Sequence, residues 1–483
     1  MKSKLILILF LGCLLVSCTH NDEIIISGTV RNMQGNQIVY YQSVDGMFNS
    51  LSCDTLKVNA DSTFFLTFPA ETFKRVRFLQ YGKGELGSVI VTKPNIEVTL
   101  DGAAEQHLKV KGQGESEKNI CVLLDKLNED VWDLRANRGD RWNIAKDTIA
   151  TSVVAKLKAD ALEMEKEMKG IDEELYTKVQ QDVRMQLMLA FQNQLLGVNW
   201  QCAEPTKKRW MEEWEKMKQL WSENHPAAPF SPAFYDVVSN NAGTTYSMKG
   251  ESVPEGVNKN PKELSFYYFE HQLTGKSQEA AMAQLFLQDE RREENAPVII
   301  PLSERFKELF PQSSWMPLVD RVVAKNKAFN EIEIPDYIHF PNVEKANTFK
   351  EVIDLYKGKV IFMDIWATWC GPCRNSFASV KPLQEYAKEH DDVVLLYLSI
   401  DRPNNDGKWR KMAAHYDLMG EHVRVQKAFF KEIYKTFGDK RGVLAIPRCV
   451  IYDKNGKIRF NEAASSEDMV KLKGQLDEVR NMK

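Results

Sequence analysis

Residues 360–366 read VIFMDIW, and the chain then passes through Cys370-Gly371-Pro372-Cys373 into RNSFASVKPLQEYAKEH. An apolar run broken by a single charge is the mark of a strand covered on both faces, and the segment after the cysteines has helical periodicity. The alternation continues downstream. VVLLYLSID is a strand, NDGKWRKMAAHY a helix, and IPRCVIYD turns at Asp453-Lys454-Asn455-Gly456 into KIRFNE as a hairpin. A last helix carries Met469, Leu472, Leu476 and Val479 on one face. From about Glu331 onward this pattern predicts an α/β architecture, with helices on both faces of one sheet.

At 483 residues the chain is too long for one core, and roughly 150 residues per domain predicts about three. Between Ile24 and about Gly114 the signals are for strands: IIISGTV, NQIVYYQS, DTLKV, STFFLTF, RVRFLQY, SVIVT and IEVTL, separated by turn-forming stretches. Short strands at this spacing predict a small antiparallel sandwich or barrel. From about Glu115 to Asn330 the periodicity is helical. Ile120, Leu123, Leu124, Leu127, Val131 and Leu134 share one face, and Trp210, Trp214, Met217 and Trp221 form a stripe. The stripe reads either as a peptide-binding face or as the core seam of a helical bundle, and the seam is the favoured reading.

The N-terminus bears on the compartment. Two lysines in MKSK precede LILILFLGCLLV, twelve apolar or small residues, the size of a signal-peptide h-region and short for a bilayer core of ~30 Å. The run ends in Leu15-Val16-Ser17-Cys18, which resembles the lipobox of bacterial lipoproteins; an ordinary signal peptide is the alternative. The expectation is a lipid anchor on Cys18, with the folded part in an extracytoplasmic space of the cell envelope. Thr19 after Cys18 fits sorting to the outer membrane. A net charge of −3 makes no case for nucleic acid, and eight cysteines are far too sparse for a disulfide scaffold.

Three chemistries compete for Cys370 and Cys373. A zinc site needs four ligands, and neither Cys53, Cys121, Cys202 and Cys449 nor the histidines supply a second pair at metal-binding spacing. No metal is expected. A static crosslink across so small a loop adds little through chain entropy. The redox reading explains more. Following a strand and opening a helix, Cys370 sits where unpaired N–H groups and the positive dipole end stabilise a thiolate below the ~8.5 of a free cysteine. Cys370 is then the exposed nucleophile and Cys373, one turn inside, the shielded resolving thiol. Pro372 suits the first helical turn, where a missing N–H costs nothing. Asp364 interrupts the apolar strand, where burial raises a carboxyl pKa and suits it to exchange a proton with Cys373. The alternative for Asp364 is a strand-end residue bonded to nearby backbone.

The stretch Val360-Ile-Phe-Met-Asp-Ile-Trp-Ala-Thr-Trp-Cys-Gly-Pro-Cys373 resembles the active-site strand and loop of thioredoxin-fold proteins. With the exported setting and the VVLLYLSID strand, the resemblance points to the TlpA/ResA-like thiol–disulfide oxidoreductases and covers about residues 331–483. It implies that Pro447, in Leu444-Ala445-Ile446-Pro447, is the cis-proline opposite the dithiol. It further implies that Trp369, Gly371, Pro372 and Ile446 border the substrate. Asp364 matches the buried aspartate of thioredoxins. Ser376 and Ala378 depart from the Glu and Pro that members often carry there. Cys449 is also unusual, either a buried strand cysteine or a third redox thiol.

These readings predict a multidomain chain: a lipoprotein signal peptide at 1–17, an N-terminal antiparallel β sandwich at 18–114, an all-α helical region at 115–330, and a C-terminal α/β thioredoxin fold at 331–483. The expected function is reduction of disulfides in exported proteins, with cytochrome c maturation as one outlet. The resemblance implies electrons from a membrane thiol relay of the DsbD/CcdA type and no organic cofactor. A peroxidase of the peroxiredoxin kind lacks its P-x-x-x-T-x-x-C setting. The alternative is a binding or scaffold lipoprotein whose thioredoxin module is accessory.

Overall fold

The structure, a computed structural model, describes residues 23–482 except 34–37, 45–46, 70–73, 81–83, 92–95, 115–116, 123–148, 169–172, 254, 256, 258–259, 342–347 and 440–442. Cys18 with its lipobox, and the helical face from Leu123 to Leu134, lie outside the described residues. The chain divides into two compact units, 1–285 and 286–483.

In the first unit, β1 (Glu23–Arg31), β4 (Thr63–Pro69), β7 (Ile96–Asp101) and β8 (Leu108–Lys111) form one four-stranded sheet, in the order β4-β1-β7-β8. A second sheet, β3-β2-β5-β6, comprises β2 (Ile38–Val44), β3 (Met47–Thr55), β5 (Lys74–Gln80) and β6 (Gly84–Val91). Ile26, Phe64 and Val98 from one sheet and Val76, Phe78 and Val89 from the other join a single apolar cluster. Gly28 permits close packing there, since a Cβ on it would fall 2.2 Å from the Phe64 ring. One pair corrects the all-antiparallel expectation: β1 runs parallel to β7. Strand β8, LKVK, was not anticipated, because a short, half-exposed edge strand rich in lysine carries almost no apolar signal.

Helices among the described residues of this unit include α1 (Ile149–Glu167), α2 (Glu173–Gln201), α3 (Glu204–Leu220), α4 (Phe234–Gly243) and α5 (Pro261–Gln272). Trp210, Trp214 and Met217 of α3 are fully buried, as nearly is Trp221 beyond it. The stripe is therefore a core seam. Trp210 stacks on Phe191, and the Trp214 indole donates to Asn241 Oδ1 at 2.9 Å.

The second unit begins within α6 (Gly275–Arg291), with α7 (Ile299–Leu309) and α8 (Met316–Asn330) leading into a six-stranded sheet. Its elements in chain order are β9 (Ile338–His339), α9 (Phe349–Ile353), β10 (Val360–Trp366), α10 (Gly371–Ser376), α11 (Lys381–Glu389), β11 (Val393–Ser399), α12 (Asp406–His415), β12 (Gly420–Arg424), α13 (Lys427–Phe437), β13 (Arg448–Tyr452), β14 (Ile458–Phe460) and α14 (Met469–Arg480). The strand order is β14-β13-β10-β11-β12-β9, with β10 to β12 and β9 parallel and the β13–β14 hairpin antiparallel. Every residue of β10 is buried, as its apolar run requires. The helix expected over 374–390 is split into α10 and α11. Pro382 opens the second piece, since a proline inside one continuous helix would remove a bond and clash with the preceding turn. Gly456, at φ 76°, makes the β13–β14 turn, with Asp453 Oδ1 accepting from the Asn455 and Lys457 amides at 2.9 Å.

Candidate active site

The strand β10 delivers its C-terminal end to the loop Ala367–Cys370, and α10 starts at once, with Cys370 as its N-cap. Cys370 and Cys373 are joined as a disulfide. The Cys370 sulfur also accepts from the Cys373 amide at 3.2 Å, so one of the helix's free N–H groups points at it. Trp369 is 60% exposed, and Pro372 is exposed beside it. Cys370 is only 5% exposed and Cys373 fully buried, which corrects the expectation of an exposed Cys370. Bonded to Cys373, its sulfur joins the apolar cluster of the sheet, against which Ile446 packs. The Ile446–Pro447 bond is cis and half-buried. A Cβ on Gly371 would meet no atom, so the chain's own packing leaves open space in front of it.

Two buried contacts brace the loop before Cys370. Asp401, after β11, accepts from the Thr368 amide at 2.8 Å and from its hydroxyl at 2.7 Å, and also from Ser399. Arg374, directly after Cys373, donates through Nη1 to the Thr368 carbonyl at 2.7 Å. None of these partners was singled out in the sequence. Asp401 closes the strand VVLLYLSID, so a carboxylate at the carboxyl end of a buried strand was the available signal.

Asp364 lies mid-strand in a row of polar side chains that the register aligns across four strands. It faces Cys449 on β13 and Tyr397 on β11, and Tyr397 faces His422 on β12. Directly opposed residues share one sheet face. All four are buried. Trp366, two residues on and so on the same face, packs edge-on against Phe377 at 5.1 Å, and Phe377 also meets Tyr397. Phe377 lies one turn beyond Cys373, so the row faces the cysteine helix.

The electrostatics follow from burial. Asp364 Oδ1 has no hydrogen-bond partner among the described residues, and desolvation pushes its carboxyl up to about 7. Burial, then the nearby Asp364 charge, drives the Cys449 thiol and the Tyr397 hydroxyl well above their ordinary values, so both stay protonated at neutral pH. The Tyr397 ring stacks on His422 at 4.8 Å. His422 Nε2 is 2.8 Å from the Leu418 carbonyl, which only accepts, so Nε2 carries the proton and Nδ1 the lone pair. Burial lowers its pKa to about 4, leaving it neutral. Asp364 is thus a carboxyl that can gain or lose a proton near neutrality, held between two groups that cannot. A thiol so placed is a poor nucleophile, which favours Cys449 as a strand cysteine.

Among the described residues no group of three or more His, Cys, Asp or Glu could hold a metal ion, and no helix is long and apolar enough to cross a membrane.

Residues 330–476 match the Redoxin family. The thiol–disulfide oxidoreductase ResA of Bacillus thuringiensis is 30% identical over 103 residues, 21% of this chain and 54% of that protein. The thioredoxin-like protein YneN of Bacillus subtilis is 30% identical over 104 residues, 21% of this chain and 55% of that one. A thiol–disulfide oxidoreductase structure from Bacteroides fragilis is 22% identical with a TM-score of 0.21, covering 24% of this chain and 82% of that one. The chain spans about half the length of the curated relatives it matches.

Proposed function

We propose that this protein, whose residues 330–476 match the Redoxin family, is a TlpA/ResA-like thiol–disulfide oxidoreductase working through the Cys370–Cys373 pair. The observation that carries the reading is the bonded pair at a helix N-terminus, on the sheet face that holds Asp364. In the reduced protein the Cys370 thiolate, favoured by the Cys373 amide and the helix dipole, attacks a substrate disulfide. One substrate sulfur leaves as thiolate and a mixed disulfide forms. Cys373 then loses its proton to Asp364 and attacks Cys370, which releases the second substrate sulfur and re-forms the intramolecular disulfide. Two electrons pass to the substrate, and the Asp364 proton returns to solvent or to the departing thiolate.

The exposed Trp369 and Pro372, the open space before Gly371 and the Ile446–Pro447 segment form the surface that a substrate backbone approaches. The substrates are disulfide-containing exported proteins, apocytochrome c among the candidates. The electrons come from a membrane thiol relay, and no organic cofactor takes part. Anchoring by lipid on Cys18, at the periplasmic side of the envelope, completes the reading and rests on the lipobox alone. In the same reading residues 18–114 and 115–330 are separate domains that select the partner.

The test is the reduction potential of the Cys370–Cys373 couple, measured against thiol buffers. A value near the roughly −270 mV of thioredoxin supports a reductase, whereas one near about −120 mV identifies an oxidant. Failure of the purified protein to reduce insulin, together with a Cys373→Ala variant that traps no mixed disulfide, would sink the proposal. Lipidation is checked by the mass of the mature N-terminus.

A further inference from the structure

Arg374 stands next to Cys373 with a side chain only 9% exposed, and its Nη1 bond to the Thr368 carbonyl is to a neutral group. The carboxylate that pairs with it comes from outside the redoxin-matching region. Glu293 Oε2 lies 3.1 Å from Arg374 Nε, an ion pair whose angle falls short of a hydrogen bond, and the same oxygen accepts from the Tyr416 hydroxyl. Glu293 is presented by a built turn. It adopts a left-handed backbone at φ 48°, as does Asn295 at 47°. Such conformations in non-glycine residues persist where surroundings over-determine them. Here the Glu293 amide bonds Glu290 O, Glu294 N bonds Asp289 O, and the buried Asp289 carboxylate accepts from the Ala296 amide at 3.2 Å. Buried Asn326 holds Ala296 O at 3.0 Å, and Asn330 holds Asn295 O at 3.1 Å.

We propose that Glu293 is a positioning residue for the dithiol, acting through Arg374. The path runs from Glu293 to Arg374 and on to Thr368, which Asp401 holds from its other side. It grips the backbone two residues before Cys370 and the residue directly after Cys373. Its electrostatic part is as direct. Arg374 carries a permanent positive charge on the residue after Cys373, its guanidinium bonded to the backbone two residues before Cys370, and Glu293 balances it. Lys408, whose ammonium is pushed down chiefly by burial, feels the Arg374 charge together with those of Glu294, Asp289 and Asp401. With Glu293 neutralised, the unbalanced guanidinium stabilises the Cys370 thiolate in the reduced protein. The reduced form then gains relative to the disulfide.

The inference rests on the dithiol reading above, and its test uses properties of the dithiol rather than turnover. In the full chain, Glu293→Gln should move the midpoint of Cys370 alkylation with iodoacetamide to lower pH. It should also shift the equilibrium with dithiothreitol three- to tenfold toward the reduced pair, which is about 15–30 mV. Glu293→Asp should restore the wild-type values. Tyr416→Phe, which keeps the charges, should shift the equilibrium less than threefold. A folded Glu293→Gln with midpoint and equilibrium unchanged overturns the proposal. So does a double-mutant cycle in which Glu293→Gln has as large an effect in an Arg374→Gln background as alone, and that cycle decides the matter with Glu293→Ala should the Gln variant not fold. A wild-type pair that exchanges with no thiol sinks the functional reading and this one together, whereas wild-type exchange with an unshifted variant sinks this one alone.

Discussion

Glu223, in the helical part of the first unit, and Asp364, in the sheet of the second, are both buried carboxyls whose pKa burial raises. Their company differs. Glu223 accepts from the Tyr268 hydroxyl at 2.7 Å and from the Asn241 amide, with Lys218 3.7 Å away, while Asn241 takes bonds from Trp214 and Gln192. Asp364 leaves Oδ1 without a partner and faces a thiol and a phenol that stay protonated. Burial and a raised pKa are common to both, so neither property marks a working group. Satisfaction does. A carboxylate with both oxygens engaged acts as a fastener, whereas one with an unengaged oxygen, on the sheet face toward the cysteine helix, is the one the proposed proton transfer uses.

The largest effect that would break this contrast lies with the dithiol. Cys370→Ser should abolish insulin reduction, while Cys373→Ala should leave Cys370 able to form mixed disulfides that persist on non-reducing gels. Asp364→Asn comes next. Its loss should slow disulfide reduction at pH 7 by about a hundredfold, a modest general acid–base contribution, and remove an inflection near pH 7 from the rate profile.

The stability of the same variant sharpens the point. The folded-state carboxyl sits near 7 and the unfolded one near its ordinary value of 3.8, so between those pH values only the native state holds the proton. Stability therefore falls as pH rises from about 4 to 7, by up to ~4 kcal/mol from this group, and Asp364→Asn should flatten that part of the denaturation profile. Glu223→Ala should act the other way round. It strands Asn241, Tyr268 and Lys218 and should cost about 3 kcal/mol in urea unfolding, with dithiol exchange unchanged in the folded protein. An Asp364→Asn enzyme as fast as wild type, or a Glu223→Ala protein of full stability, would erase the distinction. The smallest effect belongs to Cys449, which should resist alkylation in the native state at pH 8 and tolerate Cys449→Ser with less than a threefold change in rate.

Much of the second unit was legible in advance, because its signals are local. The apolar run of β10, the following CGPC, the Asp-Lys-Asn-Gly turn and the 3.6-residue period of α14 each depend on neighbours within a few positions. In the first unit the tryptophan stripe likewise announced a helix, and burial settled which face it was. The parallel β1–β7 pairing and edge strand β8 were not legible, since strand direction and edge position depend on partners some 70 residues away or on no apolar pattern at all.

What the sequence by itself determined is the chemistry available: a dithiol at the start of a helix, a charge inside an apolar strand and a proline ahead of a cysteine. Only the tertiary structure decided the company those groups keep. Asp364 acquired Cys449 and Tyr397 through strand register, Thr368 acquired Asp401 from 33 residues downstream, and Arg374 acquired Glu293 from before the redoxin region. A pKa or a hydrogen bond depends on distance in space, and a linear pattern records distance only along the chain.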